Sequence, residues 1–150
     1  MDRRELLYAM GAAAVTASAL PASGQEEHHH HESMAMNQSM VRYQALIDAA
    51  SKCSSAAELC VGHGVDMLSE GDKTMAACVA SSREVAVVCN GLRALAAQES
   101  AHLARYARLA AEVCKSCEAE CLKHPRHPVC KNCADACAAC AIECGKIATS

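Results

Sequence analysis

Residues 130–144 read CKNCADACAACAIEC, and their cysteines, Cys130, Cys133, Cys137, Cys140 and Cys144, are spaced three, four, three and four. Residues three and four apart stack on one face of an α-helix. The run is therefore a helix carrying a stripe of thiols where Leu or Ile would ordinarily stand. The segment before it repeats the spacing with Cys114, Cys117 and Cys121. A buried free Cys packs as a small hydrophobe, but this chain has 12 in 150 residues, with Cys53, Cys60, Cys78 and Cys89 completing the set. That is more sulfur than packing requires. A helix interior lined with thiols points to a container for soft metal ions.

The rest of the composition agrees with helices. Hydrophobic residues make up 52% of the chain, yet Phe and Trp are absent and only 3 Tyr occur. The apolar mass is mostly Ala, which lets helices approach closely but buries little area per residue. β-Branched residues are few and alternation is nowhere sustained, so strands are not expected. A net charge of −3, without a basic stripe or stacking aromatics, excludes a nucleic-acid binder. No nucleophile–base pair or paired catalytic carboxylate stands out, so nothing points to an enzyme. The expected fold class is all-α.

Turn residues divide the chain. Gly71-Asp72 offers a C′ glycine followed by an N-cap aspartate, ending helix one (from about Ser39 to Ser69) and starting helix two (Lys73 to about Ala97). Gly62 and Gly64 could loosen the first helix, and Asn90-Gly91 is a weak point in the second. Gln98-Glu99-Ser100 marks a short break before helix three, which continues to about Lys123. The stretch His124-Pro125-Arg126-His127-Pro128 is a firm stop. Helix four then runs from Val129 to about Ile147, with Pro128 where a first-turn proline is tolerated. Four helices with short connections predict an up-down-up-down bundle.

Equal distance from a turn means equal height in antiparallel helices, at about 1.5 Å per residue. Cys53 and Cys89 each lie 18 residues from Gly71. Across the second turn, Cys121 mirrors Cys130, Cys117 falls beside Cys133, and Cys114 mirrors Cys137. Met67 and Met75 each stand four residues from Gly71, at about the height of Cys121 and Cys130, with His63 one turn deeper. Both turns are expected at one end, making a thioether-rich mouth with Cys53, Cys89, Cys140 and Cys144 in the deeper half.

Residues 1–24 read as a signal segment outside the fold. Arg3 and Arg4 precede an uncharged run from Ala9 to Leu20 and small residues that suit cleavage between Leu20 and Gln25. The arginine pair is similar to a twin-arginine signal, although Asp2 and Leu6 depart from it. The Ala-rich run is too short for a membrane span. Export, to the periplasm of a bacterium, is the expectation. Residues 25–38 read as a polar tether containing His28-His29-His30-His31, either a solvated linker or a metal-capturing arm. Residues 39–150 form the expected bundle domain.

At Cys114-x-x-Cys117-x-x-x-Cys121 leading to Lys123-His124-Pro125, and in the five-cysteine helix four, the chain resembles the cysteine-rich copper storage proteins. The twin-arginine start and His-rich tether resemble their exported members. The resemblance covers roughly His28 to the C-terminus. It implies a four-helix bundle holding multiple Cu(I) ions along a thiol-lined core, and a homotetramer. A copper-requiring enzyme or copper chaperone would be the partner in metal exchange. Helices one and two carry only Cys53, Cys60, Cys78 and Cys89, where such bundles are denser. Ala107, Ala110, Ser82 and Val85 occupy face positions where further thiols would stand.

The residues on their own support the same metal. Thiolates and thioethers select Cu(I), and with bridging sulfurs an upper bound is about one ion per Cys, on the order of twelve. The candidate ligands are the 12 cysteines with Met67, Met75 and His63. Three alternatives stand beside this one. An even number of cysteines and export suit a disulfide-stapled structural or interaction module. Structural zinc would need four thiolates converging tetrahedrally, which a continuous stripe is not expected to provide. A redox protein using CxxC pairs would want an exposed, low-pKa thiol. His102 is expected to be structural or exposed, and His124 and His127 to be solvated. Met34, Met36 and Met40 are not expected to hand on copper.

Overall fold

The computed structural model describes residues 30–148, with side chains from Arg42 onward. The expected signal segment, His28 and His29 lie outside the described residues. Four helices follow one another: α1 (His30–Ser69), α2 (Ala76–Ala97), α3 (Leu103–Cys121) and α4 (Pro128–Ala148). Helix α1 starts at His30 rather than near Ser39, so residues 30–38, expected as tether, are helical. No N-cap signal or hydrophobic stripe marks that start in the sequence. Among the described residues no helix is long and apolar enough to cross a membrane.

The turns form where the chain's punctuation directs. Gly71 adopts φ 97°, the left-handed conformation that closes α1. Its N–H bonds to the Leu68 carbonyl at 3.1 Å, and the Asp72 N–H bonds to that of Met67 at 2.9 Å, the paired bonds of a Schellman cap. The Asp72 carboxylate then accepts from the Thr74 N–H at 3.0 Å. A single 3-10 turn, Lys73–Met75, leads into α2. At the far end of α2 the same cap recurs on a non-glycine residue: Glu99 has φ 47°, and the Ser100 N–H reaches the Leu95 carbonyl at 3.0 Å. Pro128 occupies the first position of α4, and the His127 carbonyl accepts the Lys131 N–H at 3.1 Å.

Of the glycines expected to loosen the helices, Gly64 and Gly91 are contact points, whereas Gly62 faces open space. Helix α1 runs unbroken through Gly62 and Gly64. A β-carbon on Gly64 would collide with Val79 of α2, and one on Gly91 would collide with Tyr106 of α3. Gly64 makes room for the Val79 side chain and Gly91 for the Tyr106 hydroxyl. The resulting core is made of Cys, Ala and a few larger side chains. Leu46, Ala50, Leu92, Ala96, Leu103 and Ala107 are buried toward the end away from the Gly71 and Pro125 turns. All 12 cysteines fill the remainder.

Candidate metal centre

Every cysteine is buried, none more than 1% exposed, and all are free thiols. The stripe on α4 and that on α3 therefore face one interior, and the four thiols of α1 and α2 join them there. Near the two hairpin turns, Cys60 Sγ lies 3.6 Å from Cys78 Sγ and 3.8 Å from Cys130 Sγ. Cys78 Sγ in turn lies 3.6 Å from Cys121 Sγ. The next level is Cys117, 3.9 Å from Cys121 and 4.0 Å from Cys133. Cys117, Cys133 and Cys137 have their sulfurs mutually within 4.8 Å. Cys137 then approaches Cys53 at 3.6 Å. Below it, Cys53, Cys89, Cys114 and Cys140, one from each helix, converge within 4.8 Å. Cys144 adjoins Cys140 as the last thiol.

Height matching from the turns holds for Cys53 and Cys89, which share the lower group, and for Cys117 beside Cys133. Cys114 and Cys137 are foremost neighbours of one another, as the mirror about the second turn expects. Cys114 also groups with Cys140, and Cys121 with Cys133. Residues 122–127 lie outside both helices. The convergence of four thiols also corrects the expectation that a stripe isolates no such group. Convergence across helices is invisible in the spacing along one of them.

The thiols tune one another. The Cys60 and Cys117 thiols are held well below the ordinary thiol value by neighbours that donate to them, Cys121 first in each case. Cys140 is lowered in the same way, chiefly by Cys114. Cys114 is brought down to about 5, chiefly by Cys137. Their partners move oppositely: Cys133 is pushed up to about 12, chiefly by Cys117, and Cys137 is raised chiefly by Cys114. Each level thus holds a thiolate-favouring sulfur surrounded by S–H donors. A soft cation entering there replaces protons that the sulfurs already share.

At the hairpin end, Met75 is fully buried and Met67 is half-buried against the core. His63 is half-buried, and its Nε2 lies 2.7 Å from Nδ1 of His127. His127 and His124, expected to be solvated, are instead half-buried, with their rings 6.3 Å apart at an 80° angle. The signal available in the sequence was the place of His127 three residues before Cys130, on the stripe's own face. A cleft of about 620 Å³ lies at this end, lined by Asp72 and Thr74 from one turn and by Glu120, Lys123, His124 and His127 from the other. Both turns therefore share one end. The Asp72 carboxyl is held below its usual range by the Thr74 hydroxyl and N–H, with the histidines adding to the effect. His102 is exposed, as expected. Ser82, Val85, Ala107 and Ala110 are all buried at face positions.

The sequence pattern of the copper storage protein family matches residues 36–149. The chain belongs to that family. It is 31% identical over 106 residues to the uncharacterized cysteine-rich protein YhjQ of Bacillus subtilis, covering 70% of this chain and 91% of that one. Its fold is similar to the apo form of copper storage protein 3 from B. subtilis, with TM-score 0.63 and 30% identity over 71% of this chain and 98% of the other. A Cu(I)-bound copper storage protein, BsCsp3, gives TM-score 0.64 and 30% identity, covering 71% and 97%. A copper storage protein from Streptomyces lividans loaded with 10 copper equivalents shares the fold, with TM-score 0.65 over 75% and 85% at 23% identity.

Proposed function

We propose that this copper storage family member sequesters multiple Cu(I) ions on its thiolates, as a store rather than a catalyst. One observation carries the reading: a buried, unbroken succession of twelve thiols with neighbouring sulfurs 3.6–4.0 Å apart along most of its length. Thiolate donors select Cu(I), and this spacing lets one sulfur bridge two ions. Capacity is expected near one ion per thiol, on the order of twelve. The Cys133→Ser, Cys137→Ser double variant tests it. It should lose about two ions of capacity with helical content nearly intact, because the thiols serve the metal more than the packing. Unchanged capacity would remove the column from the mechanism.

Copper is taken to enter at the hairpin end. The cleft, Met67, Met75 and the His63–His127 pair lie there, whereas Leu46, Leu92 and Leu103 fill the opposite end. Neutral thioether and imidazole donors bind Cu(I) less tightly than thiolates and suit a site that ions enter and leave. Export by the twin-arginine route is proposed from Arg3-Arg4 and the Ala9–Leu20 run. Folding before export would protect the thiols in an oxidising compartment. A copper enzyme or chaperone as exchange partner, and assembly into a homotetramer, belong to the same proposal.

Zinc is a second reading for one place only, because Cys53, Cys89, Cys114 and Cys140 supply four converging thiols. It would take one ion there and leave the other thiols unexplained.

A further inference from the structure

The column is not lined evenly. At the level of Cys117 and Cys133, α2 presents Ser82, whose hydroxyl lies 3.7 Å from Cys117 Sγ and 4.0 Å from Cys133 Sγ. One turn further along α2 stands Val85, fully buried, and α1 places Ala57 between Cys53 and Cys60. Between Cys60 and Cys78 above and Cys53 and Cys89 below, α1 and α2 thus offer no sulfur. The interval is spanned by α3 and α4 alone, through Cys117, Cys133 and Cys137. Of these, Cys137 is 3.6 Å from Cys53 of the lower group. It is also the foremost neighbour shifting the Cys114 thiol, another lower member. Methyl groups are no ligand for Cu(I), and a hydroxyl is a poor one.

We propose that Cys137 is the transfer station of this store, the sulfur through which Cu(I) passes between the upper thiols and the lower four. The proposal rests on the Cu(I) reading above. An ion held by the thiolates of Cys117 and Cys133 accepts Cys137 sulfur as a third ligand as the Cys137 S–H proton leaves. The bond to Cys117 or Cys133 then breaks, and the freed thiolate takes up that proton. The same exchange with Cys53 carries the ion into the lower group. Copper stays Cu(I) throughout, and no proton or electron is gained or lost overall. Without Cys137 the ion must leave its ligands and pass the buried, sulfur-free residues Ala57, Ser82 and Val85, where an unpaired charge is costly.

The test uses the reduced full chain without oxygen, with Cu(I) delivered from a coloured weak chelator in a stopped-flow mixer. The wild type should fill in one continuous course. Cys137→Ser should fill the upper thiols at the wild-type rate and the lower ones in a separate phase slowed on the order of tenfold or more, a barrier rise of about 1.4 kcal/mol. Cys144→Ser, which removes a thiol beyond Cys140, should lose capacity without a slow phase. Val85→Cys added to Cys137→Ser places a sulfur one turn from Cys89 and should restore fast filling. If a buried serine unfolds the bundle, Cys137→Ala, apolar like its neighbours Ala134 and Ala141, is expected to give the same slow phase. Single-phase filling of the folded Ser or Ala variant at the wild-type rate overturns the proposal, as does equal slowing in Cys144→Ser. A wild-type chain that takes up no more than one or two ions would instead defeat the storage reading itself.

Discussion

Gly64→Ala sets two known effects against each other. In a helix interior Gly costs about 0.5–1 kcal/mol relative to Ala, so local preference alone makes the change stabilising. The packing says otherwise, because the new β-carbon would collide with Cγ2 of Val79 and lie 3.7 Å from Cε of Met75. Val79 is stiff at χ1 as a β-branched residue and only 7% exposed, so it cannot swing aside cheaply. Overpacking a core costs about 1–3 kcal/mol, which outweighs the propensity gain. The expected result is a net loss of about 1–2 kcal/mol. It would be read as a lower urea midpoint of the metal-free, reduced protein at constant m-value. In a Val79→Ala background the obstacle is gone, and Gly64→Ala should become neutral or stabilising, a coupling of about 1–2 kcal/mol. A raised midpoint for Gly64→Ala alone, or strict additivity of the two changes, would refute the close approach of α1 and α2. It would also weaken the 3.6 Å Cys60–Cys78 step, since Cys60 lies one turn from Gly64 and Cys78 adjoins Val79.

Further outcomes follow from the same geometry. Stability of the metal-free protein should rise with pH from about 5 to 9, because Cys114 ionises near 5 when folded but at 9.0 when unfolded. It should fall above pH 9, where the unfolded chain releases protons that raised thiols such as Cys133, at about 12, still hold; thermal melts across that range would reveal the maximum. Met67→Leu with Met75→Leu preserves packing volume and should slow copper loading or removal more than it changes capacity. Rates that stay constant while capacity falls would make these methionines storage ligands. Replacing Arg3 and Arg4 by Lys should leave precursor in the cytoplasm, as fractionation and immunoblotting would show, and normal export would end the twin-arginine proposal.

What the sequence disclosed and what it hid have physical reasons. The three-four spacing on α4 admits only one helical face, so the interior stripe was legible from Cys130 to Cys144 alone. Gly71 and Pro125 were legible because a C′ glycine and paired prolines have few other uses. The common height of Cys53 and Cys89 followed from equal rise about one tight turn. The Cys121–Cys133 and Cys114–Cys140 groupings did not, because a thiol also meets sulfurs one turn away on the neighbouring helix, which equal height does not record. The His63–His127 pair was hidden for a related reason: it depends on how α1 is rotated toward the start of α4. The four-thiol group of Cys53, Cys89, Cys114 and Cys140 takes one residue from each helix, so no single segment announces it. The start of α1 at His30 has no N-cap residue type in the sequence to mark it.

The account stands most directly on the number of Cu(I) ions that the reduced, metal-free chain withdraws from a strong Cu(I) chelator under anaerobic conditions. A sharp end point on the order of twelve ions per chain, close to one per thiol, is the predicted result. An end point of one or two ions, or none, would contradict it.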